Sequence, residues 1–193
     1  MQHNSSGHTK IRSCLYHFPV IAAVHNREDI HVAVQSRANI LFLMHGDIFD
    51  LEPEIAAVRE SKKLIFVHID LVKGVSRDDS GMRYYASKVK VNGIISTNAN
   101  IIKTARNEGL MSIMRMFVVD TKAFENSVHT INAINPELVE IMPALIPRAI
   151  SDLKRRIRRP IIAGGMVSGR QDVESALQAG AVGVSTSIRE LWY

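Results

Sequence analysis

The stretch from Pro160 to Ser187, PIIAGGMVSGRQDVESALQAGAVGVSTS, holds one complete structural unit. Pro160 to Ala163 is a short apolar run that ends in two glycines, and Ala181 to Ser185 is a second run. Between them Ser168 or Gly169 can open a helix whose buried stripe is Val173, Ala176 and Leu177, and Gly180 sits where a helix-closing glycine belongs. Strands that are apolar on both faces and joined by a helical crossover lie parallel in a buried sheet.

The same grammar extends outward over nearly the whole chain. Comparable runs lie at Val20 to Val24, Ile40 to Met44, Leu64 to Ile69, Gly93 to Ser96, Ser112 to Val119 and Leu138 to Met142, so a strand recurs every ~23 residues. The intervening segments are helical: Asn98 precedes Ile101, Ile102 and Ala105, with Gly109 closing the run. Ala149, Ile150, Leu153 and Ile157 form an apolar stripe on a helix from Arg148 to Arg159 that Pro160 should stop. Eight such units suit either a closed barrel or an open doubly wound sheet. No G-x-G-x-x-G follows the first run, and polar residues gather at the C-terminal ends of the runs throughout. We therefore expect a compact (β/α)8 TIM-type barrel, one α/β domain spanning residues 20–193. Residues 1–19, with His3 and His8 among Asn, Ser and Gly, read as a flexible extension.

Composition narrows the function classes. The chain has 193 residues, 46% of them hydrophobic, enough for one substantial core. No apolar run approaches the ~18 residues of a membrane span, and the first twenty residues carry no secretory apolar region. Cys14 is the single cysteine, so no internal disulfide or thiolate zinc cluster forms, and a cytoplasmic setting is expected. The formal charge is +5, but from Arg148 to Arg170 seven basic residues face one acid, Asp152. Such local concentration suits a phosphate-bearing partner, although a solvated helix face would look the same.

In a barrel of this kind ligands sit at the C-terminal strand ends, with phosphate on the loops after strands 7 and 8. Gly164 and Gly165 follow strand 7 and let backbone N–H groups approach an anion, while Ser185, Thr186 and Ser187 follow strand 8 with hydroxyls. The other strand ends offer Asp47, His68, Asp70, Ser96, Arg115 and Glu140 as polar ligand contacts. Alternation puts His68 and Asp70 on one face of their strand. Arg115 and Glu140, on neighbouring strands, would form a buried ion pair if both point inward, because neither can be left unpaired there. No H-E-x-x-H, Walker lysine or nucleophile elbow is present, so neither a metal nor a catalytic residue is assigned. The residues alone lead to a small phosphorylated ligand in a barrel, and a phosphosugar-type isomerase or lyase with Asp70 or Glu140 as general base stays open.

The strand-end strings resemble those of the glycerol-3-phosphate-responsive antiterminators of bacterial glycerol uptake operons. They are Gly46-Asp47-Ile48, His68-Ile69-Asp70-Leu71-Val72-Lys73-Gly74, Gly93-Ile94-Ile95-Ser96-Thr97 and Arg115-Met116-Phe117 with Asp120. They continue with Pro136, Glu140 and Pro143, then Pro160 to Gly165, and Ser185-Thr186-Ser187 with Leu191-Trp192. The resemblance implies a barrel that binds glycerol 3-phosphate as an effector, with no cofactor, and acts on leader mRNA without turnover. It gives the basic segment a use: Arg148, Lys154, Arg155, Arg156, Arg158 and Arg159 become candidate RNA contacts. The end of that helix lies at the opposite face from the phosphate site, so ligand and RNA would be coupled over the barrel's height, with a homo-oligomer as one route. Met114 and Ala144 depart from the family's usual glutamine and glycine, which suggests an altered pocket at strands 5 and 6.

Overall fold

In the computed structural model, residues 4–193 are described, with side chains from residue 9 onward. Eight parallel strands close in sequence order into a barrel: β1 Val20–Val24, β2 Ile40–Leu43, β3 Leu64–His68, β4 Gly93–Ser96, β5 Met111–Phe117, β6 Leu138–Met142, β7 Ile161–Gly164 and β8 Gly183–Thr186. Closure comes from β1 pairing with β8, Ile21 beside Ser185. A helix α1, Asn4–His17, precedes the barrel, and around the outside lie α2 Glu28–Gln35, α3 Leu51–Glu60, α4 Asp79–Tyr84, α5 Ala99–Asn107, α6 Thr121–Ile134, α7 Pro147–Arg156 and α8 Arg170–Gln178. No described helix is long and apolar enough to cross a membrane.

The two-residue strand period divides the apolar residues into two cores. Ile21, Ile40, Phe42, Leu64, Phe66, Ile95, Ile113, Leu138 and Ile162 fill the barrel interior. Their neighbours Ala22, Leu41, Ile65, Ile94, Val139, Ile161 and Val184 face outward against the helices. Continuing the inner row upward, most strands turn polar, with His25 after β1, His68 on β3, Arg115 on β5, Glu140 on β6 and Ser185 on β8, because there the stack meets water, whereas β2 continues to Met44. Asn98 and Asp120 cap α5 and α6 by accepting from the backbone N–H groups of Asn100 and Ala123, at 2.9 and 2.7 Å.

Two expectations need correction. The helix expected to reach Arg159 ends at Arg156, because Ile157 adopts extended backbone (φ −125°, ψ 154°) that carries its side chain into the core. The N-terminal segment is not a loose extension over residues 4–17: α1 buries Ile11 and Leu15, spaced four apart on one side, at 2% and 3% exposure. These two join the barrel-interior core from below, and a Cβ added at Gly183 would come within 2.8 Å of Leu15 Cδ2. His3 lies outside the described residues. The open lower end of the barrel explains the difference, since apolar strand starts there need a cover and α1 supplies it.

Leu15→Ala should therefore cost about 2–5 kcal/mol in urea unfolding, the range for a buried leucine. An unchanged midpoint would mean that α1 does not seal the barrel.

Candidate functional site

The inner row of β5 and β6 supplies the centre of the site. Arg115 and Glu140 are register partners, both inward, and Arg115 Nε donates to Glu140 Oε2 at 2.7 Å. Glu140 is fully buried and Arg115 is 7% exposed, so the charges lie in the low-dielectric interior and each requires the other. Ser185 of β8 donates its hydroxyl to Glu140 Oε1 at 2.6 Å, which occupies the second carboxylate oxygen. Gly164 makes room for this arrangement: a Cβ there would fall 2.7 Å from Glu140 Oε1 and 2.3 Å from Ser185 Oγ. The network thus explains the first glycine of the pair as steric clearance.

Above the network opens a cavity of about 250 Å³ lined by Arg115, Glu140, Gly165, Ser185, Thr186 and Ser187, with Ala23, His25, Met44, Leu71, Met142, Met166 and Val167 completing the wall. Drug-sized ligands occupy roughly 300–1,000 Å³, so this space suits a small metabolite. Gly165 (φ 77°) and Met166 (φ 62°) are both left-handed and turn the β7 loop sharply beside the opening. Thr186 Oγ1 accepts from the Ile188 N–H at 3.1 Å, and the buried Trp192 indole donates to the Thr186 carbonyl at 2.9 Å, which holds the β8 loop in place.

The remaining expected contacts form separate groups. Asp70 accepts from the Ser96 hydroxyl at 3.0 Å, from the Thr97 N–H at 2.9 Å and from the Thr97 hydroxyl at 3.2 Å, so it ties the β3 loop to the end of β4. Asp70 and Ser96 are absent from the cavity wall, although Leu71 belongs to it. Asp47 also serves its own loop: its carboxylate accepts from the Phe49 N–H at 3.1 Å, and its backbone pairs with that of Lys73 in an isolated parallel bridge. His68 is 4% exposed, with Nδ1 lacking a hydrogen-bond partner and 4.0 Å from Asp70 Oδ2. Burial, reinforced by the Arg115 charge, pushes its pKa from 6.5 down to about 4, so the ring is neutral at pH 7. Burial and Arg115 likewise lower His25. Met114 and Ala144 pack in the strand–helix layer, so they do not reshape the cavity wall.

The basic segment proves heterogeneous. Arg148 lies in the first turn of α7 at the mouth end, six residues and about 9 Å along the helix before Lys154, and the cations from Lys154 to Arg159 lie at the far end. Arg156 forms a two-point pair with Glu125 at 2.6 and 2.5 Å, Arg155 pairs with Asp152, and Arg159 Nε donates to Asn135 Oδ1 at 2.6 Å. Arg148, Arg155 and Arg156 line a groove of about 560 Å³ between α6 and α7, shared with Asp120, Glu125 and Asp152. Two of its three cations, Arg155 and Arg156, already pair with Asp152 and Glu125. Among the described residues no group of three or more His, Cys, Asp or Glu could hold a metal ion.

Sequence reasoning missed His25, Met44, Met142 and Met166. His25 was findable, as the residue directly after strand 1; the methionines carried no signal separating a cavity wall from core.

Fold and site together define a compact (β/α)8 barrel with a small-metabolite cavity at its mouth. The chain belongs to the glycerol-3-phosphate responsive antiterminator family, whose sequence profile matches residues 20–192. The Escherichia coli K12 protein YgcP is 33% identical over 174 residues, 90% of this chain and 91% of that one. Among solved structures, the glycerol uptake operon antiterminator regulatory protein of Listeria monocytogenes superposes with a TM-score of 0.87 at 27% identity, covering 91% of this chain and 95% of that one. An antiterminator-related protein of Thermotoga maritima gives 0.80 at 25% identity, with 90% and 96% covered.

Glu140→Gln should cost about 3–5 kcal/mol, because it leaves the Arg115 charge buried without a counter-ion, while an Arg115→Met, Glu140→Gln double variant should recover part of that loss. Additive losses in urea unfolding would show that the two residues do not act as a pair. The depressed His68 pKa has its own signature. As pH falls from 7 to 4, the unfolded chain binds a proton that the fold refuses, so stability declines, by up to about 3 kcal/mol from this residue. His68→Gln should flatten urea midpoint against pH over this window, and an unaltered slope would refute the assignment.

Proposed function

We propose that this protein binds glycerol 3-phosphate in the mouth cavity and, so loaded, acts on leader mRNA as a transcription antiterminator in glycerol utilisation. The observation that carries the ligand half is the cavity itself: about 250 Å³, with one guanidinium at its floor and glycine and hydroxyl loops on its rim. The phosphate would lie against the Gly165 turn and the Thr186 and Ser187 hydroxyls, where backbone N–H groups and small side chains can approach an anion. Arg115 donates to Glu140 through Nε and to Met44 Sδ through Nη2 at 3.7 Å, and its remaining N–H groups can meet a phosphate or hydroxyl oxygen. The neutral His25 ring adds a donor or acceptor for the glycerol hydroxyls.

The reading assigns binding without turnover. Both Glu140 oxygens already accept hydrogen bonds, and the Asp70 carboxylate is held by Ser96 and Thr97, so neither is poised to take a substrate proton. Membership in a regulatory family supports the same view.

Glycerol 3-phosphate at one hundred times its Kd should stabilise the protein by ~2.7 kcal/mol, a rise in Tm of about 5–10 °C. Ser187→Asp should abolish the shift by placing a carboxylate against the phosphate. A larger shift with another phosphorylated metabolite, or consumption of glycerol 3-phosphate on incubation, would overturn the reading in favour of a phosphosugar enzyme.

A further inference from the structure

The barrel is electrically polarised along its axis. Every βα unit runs the same way, so all outer helices begin at the mouth and end at the opposite face. Four of the seven outer helices carry acids in the first turn: Glu28 and Asp29 in α2, Glu52 and Glu54 in α3, Asp79 in α4 and Asp172 in α8. Four carry bases in the last turn: Arg59 in α3, Arg83 in α4, Arg106 in α5 and Lys154, Arg155 and Arg156 in α7. Complementing the helix dipoles accounts for these charges. It does not account for Lys62, Lys90 and Arg158, which are exposed in turns beyond the helix ends at the same face. These cations beyond the helix ends give a long polyanion charges to meet at the far end.

Helix α1 lies across that far end. With Ile11 and Leu15 turned into the barrel, it exposes Lys10, Arg12 and Tyr16, and Tyr16 is 88% exposed. Arg12 and Tyr16 are four apart, hence on one helix face. Both line a shallow recess with Leu177 and Val182 of the α8–β8 connection. On the other side of that connection lies Lys154, whose Cγ would be 3.3 Å from a Cβ at Gly180. Arg12, Tyr16 and Lys154 thus flank the same turn, and Arg158 continues the surface from Lys154. Arg155, Arg156 and Arg159 already hold side-chain partners, whereas no side-chain partner is seen for Lys154 and Arg158 among the described residues.

We propose that this far end, formed by the outer face of α1 and the α7–β7 turn, is the RNA-docking surface, with Arg12, Lys154 and Arg158 meeting phosphates and Tyr16 stacking on an unpaired base. The proposal rests on the antiterminator reading above. Aromatic side chains set among cations are the usual means of holding single-stranded nucleic acid. Most other exposed large apolar side chains, from Phe49 through Phe117 and Ile146 to Met166, lie on loops at the mouth. The far end offers one exposed aromatic ring, Tyr16, set beside Arg12 over Leu177 and Val182, an arrangement that suits an unpaired base with its phosphate.

The test uses the full chain, a labelled 5′ leader transcript of the adjoining glycerol-utilisation genes, a single-stranded oligouridylate and a blunt RNA duplex, with and without glycerol 3-phosphate. Combined Arg12→Glu, Lys154→Glu and Arg158→Glu changes should weaken leader binding at least tenfold and make the slope of log affinity against log salt shallower by about two, at ~0.7 per phosphate contact. Tyr16→Ala should weaken leader and oligouridylate binding about tenfold with the duplex unaffected, and Tyr16→Phe should bind as the wild type. The glycerol 3-phosphate thermal shift should be the same in all variants, which shows that fold and cavity are intact. Wild-type binding that all variants retain would overturn the surface and leave the antiterminator reading standing. Failure of the wild type to bind any of these RNAs would overturn that reading itself. A change of oligomeric state in the triple variant, with RNA binding kept, would make the surface a contact between copies of the chain.

Discussion

A carboxylate with no exposed surface, that of Glu140, sits near the axis of the barrel and constrains everything around it. An isolated charge there would cost several kcal/mol, so a cation must come from a neighbouring inward position, and β5 supplies it in register as Arg115. The second oxygen needs a donor, which fixes Ser185 two strands along on β8. Bringing that hydroxyl and the carboxylate together removes the space for a side chain on β7, which fixes Gly164. One buried charge thereby determines residues on three other strands, and because it is satisfied on the strand side, the guanidinium remains directed toward the cavity. A polar floor of this kind is rigid, since each member has one arrangement that leaves no partner unsatisfied.

The repeat of strand and helix was legible because the units share local chemistry, apolar runs followed by apolar helix stripes, with a capping Asp or Asn at α4, α5 and α6 and a closing glycine after α5 and α8. The Arg115–Glu140 pairing was legible for a related reason: two charges in mid-strand of a buried sheet have few alternatives to each other. What escaped depends on closure. Asp70 is sequence-adjacent to Leu71, a cavity residue, yet the turn after β3 carries its carboxylate sideways to Ser96 and Thr97. Ile11 and Leu15 stand among polar residues and look unremarkable until the open lower end of the barrel is seen to need a cover. The methionines of the cavity wall are chemically indistinguishable from core methionines.

Strands β5 and β6 are joined by buried polar contacts at both ends. At the mouth end stands Arg115 with Glu140; toward the other end, Glu137 accepts from the Ser112 N–H at 3.0 Å and pairs with Arg106 at 3.2 Å. Arg106 also donates to the Ile134 carbonyl, Arg159 donates to Asn135, and the Asn132 side chain donates to the Arg156 carbonyl. The α6–β6 and α7–β7 turns are thus fastened to each other and to the lower end of the strand pair whose upper end floors the cavity. A ligand that draws on the Arg115 guanidinium acts on one end of this connected set, and the basic turn is at the other. With the proposed ligand at one end and the proposed RNA surface at the other, thermodynamic linkage would set the terms. Whatever factor the ligand imposes on affinity at the far face, binding at the far face imposes on the ligand, so the sense of regulation can be read from either end of the barrel.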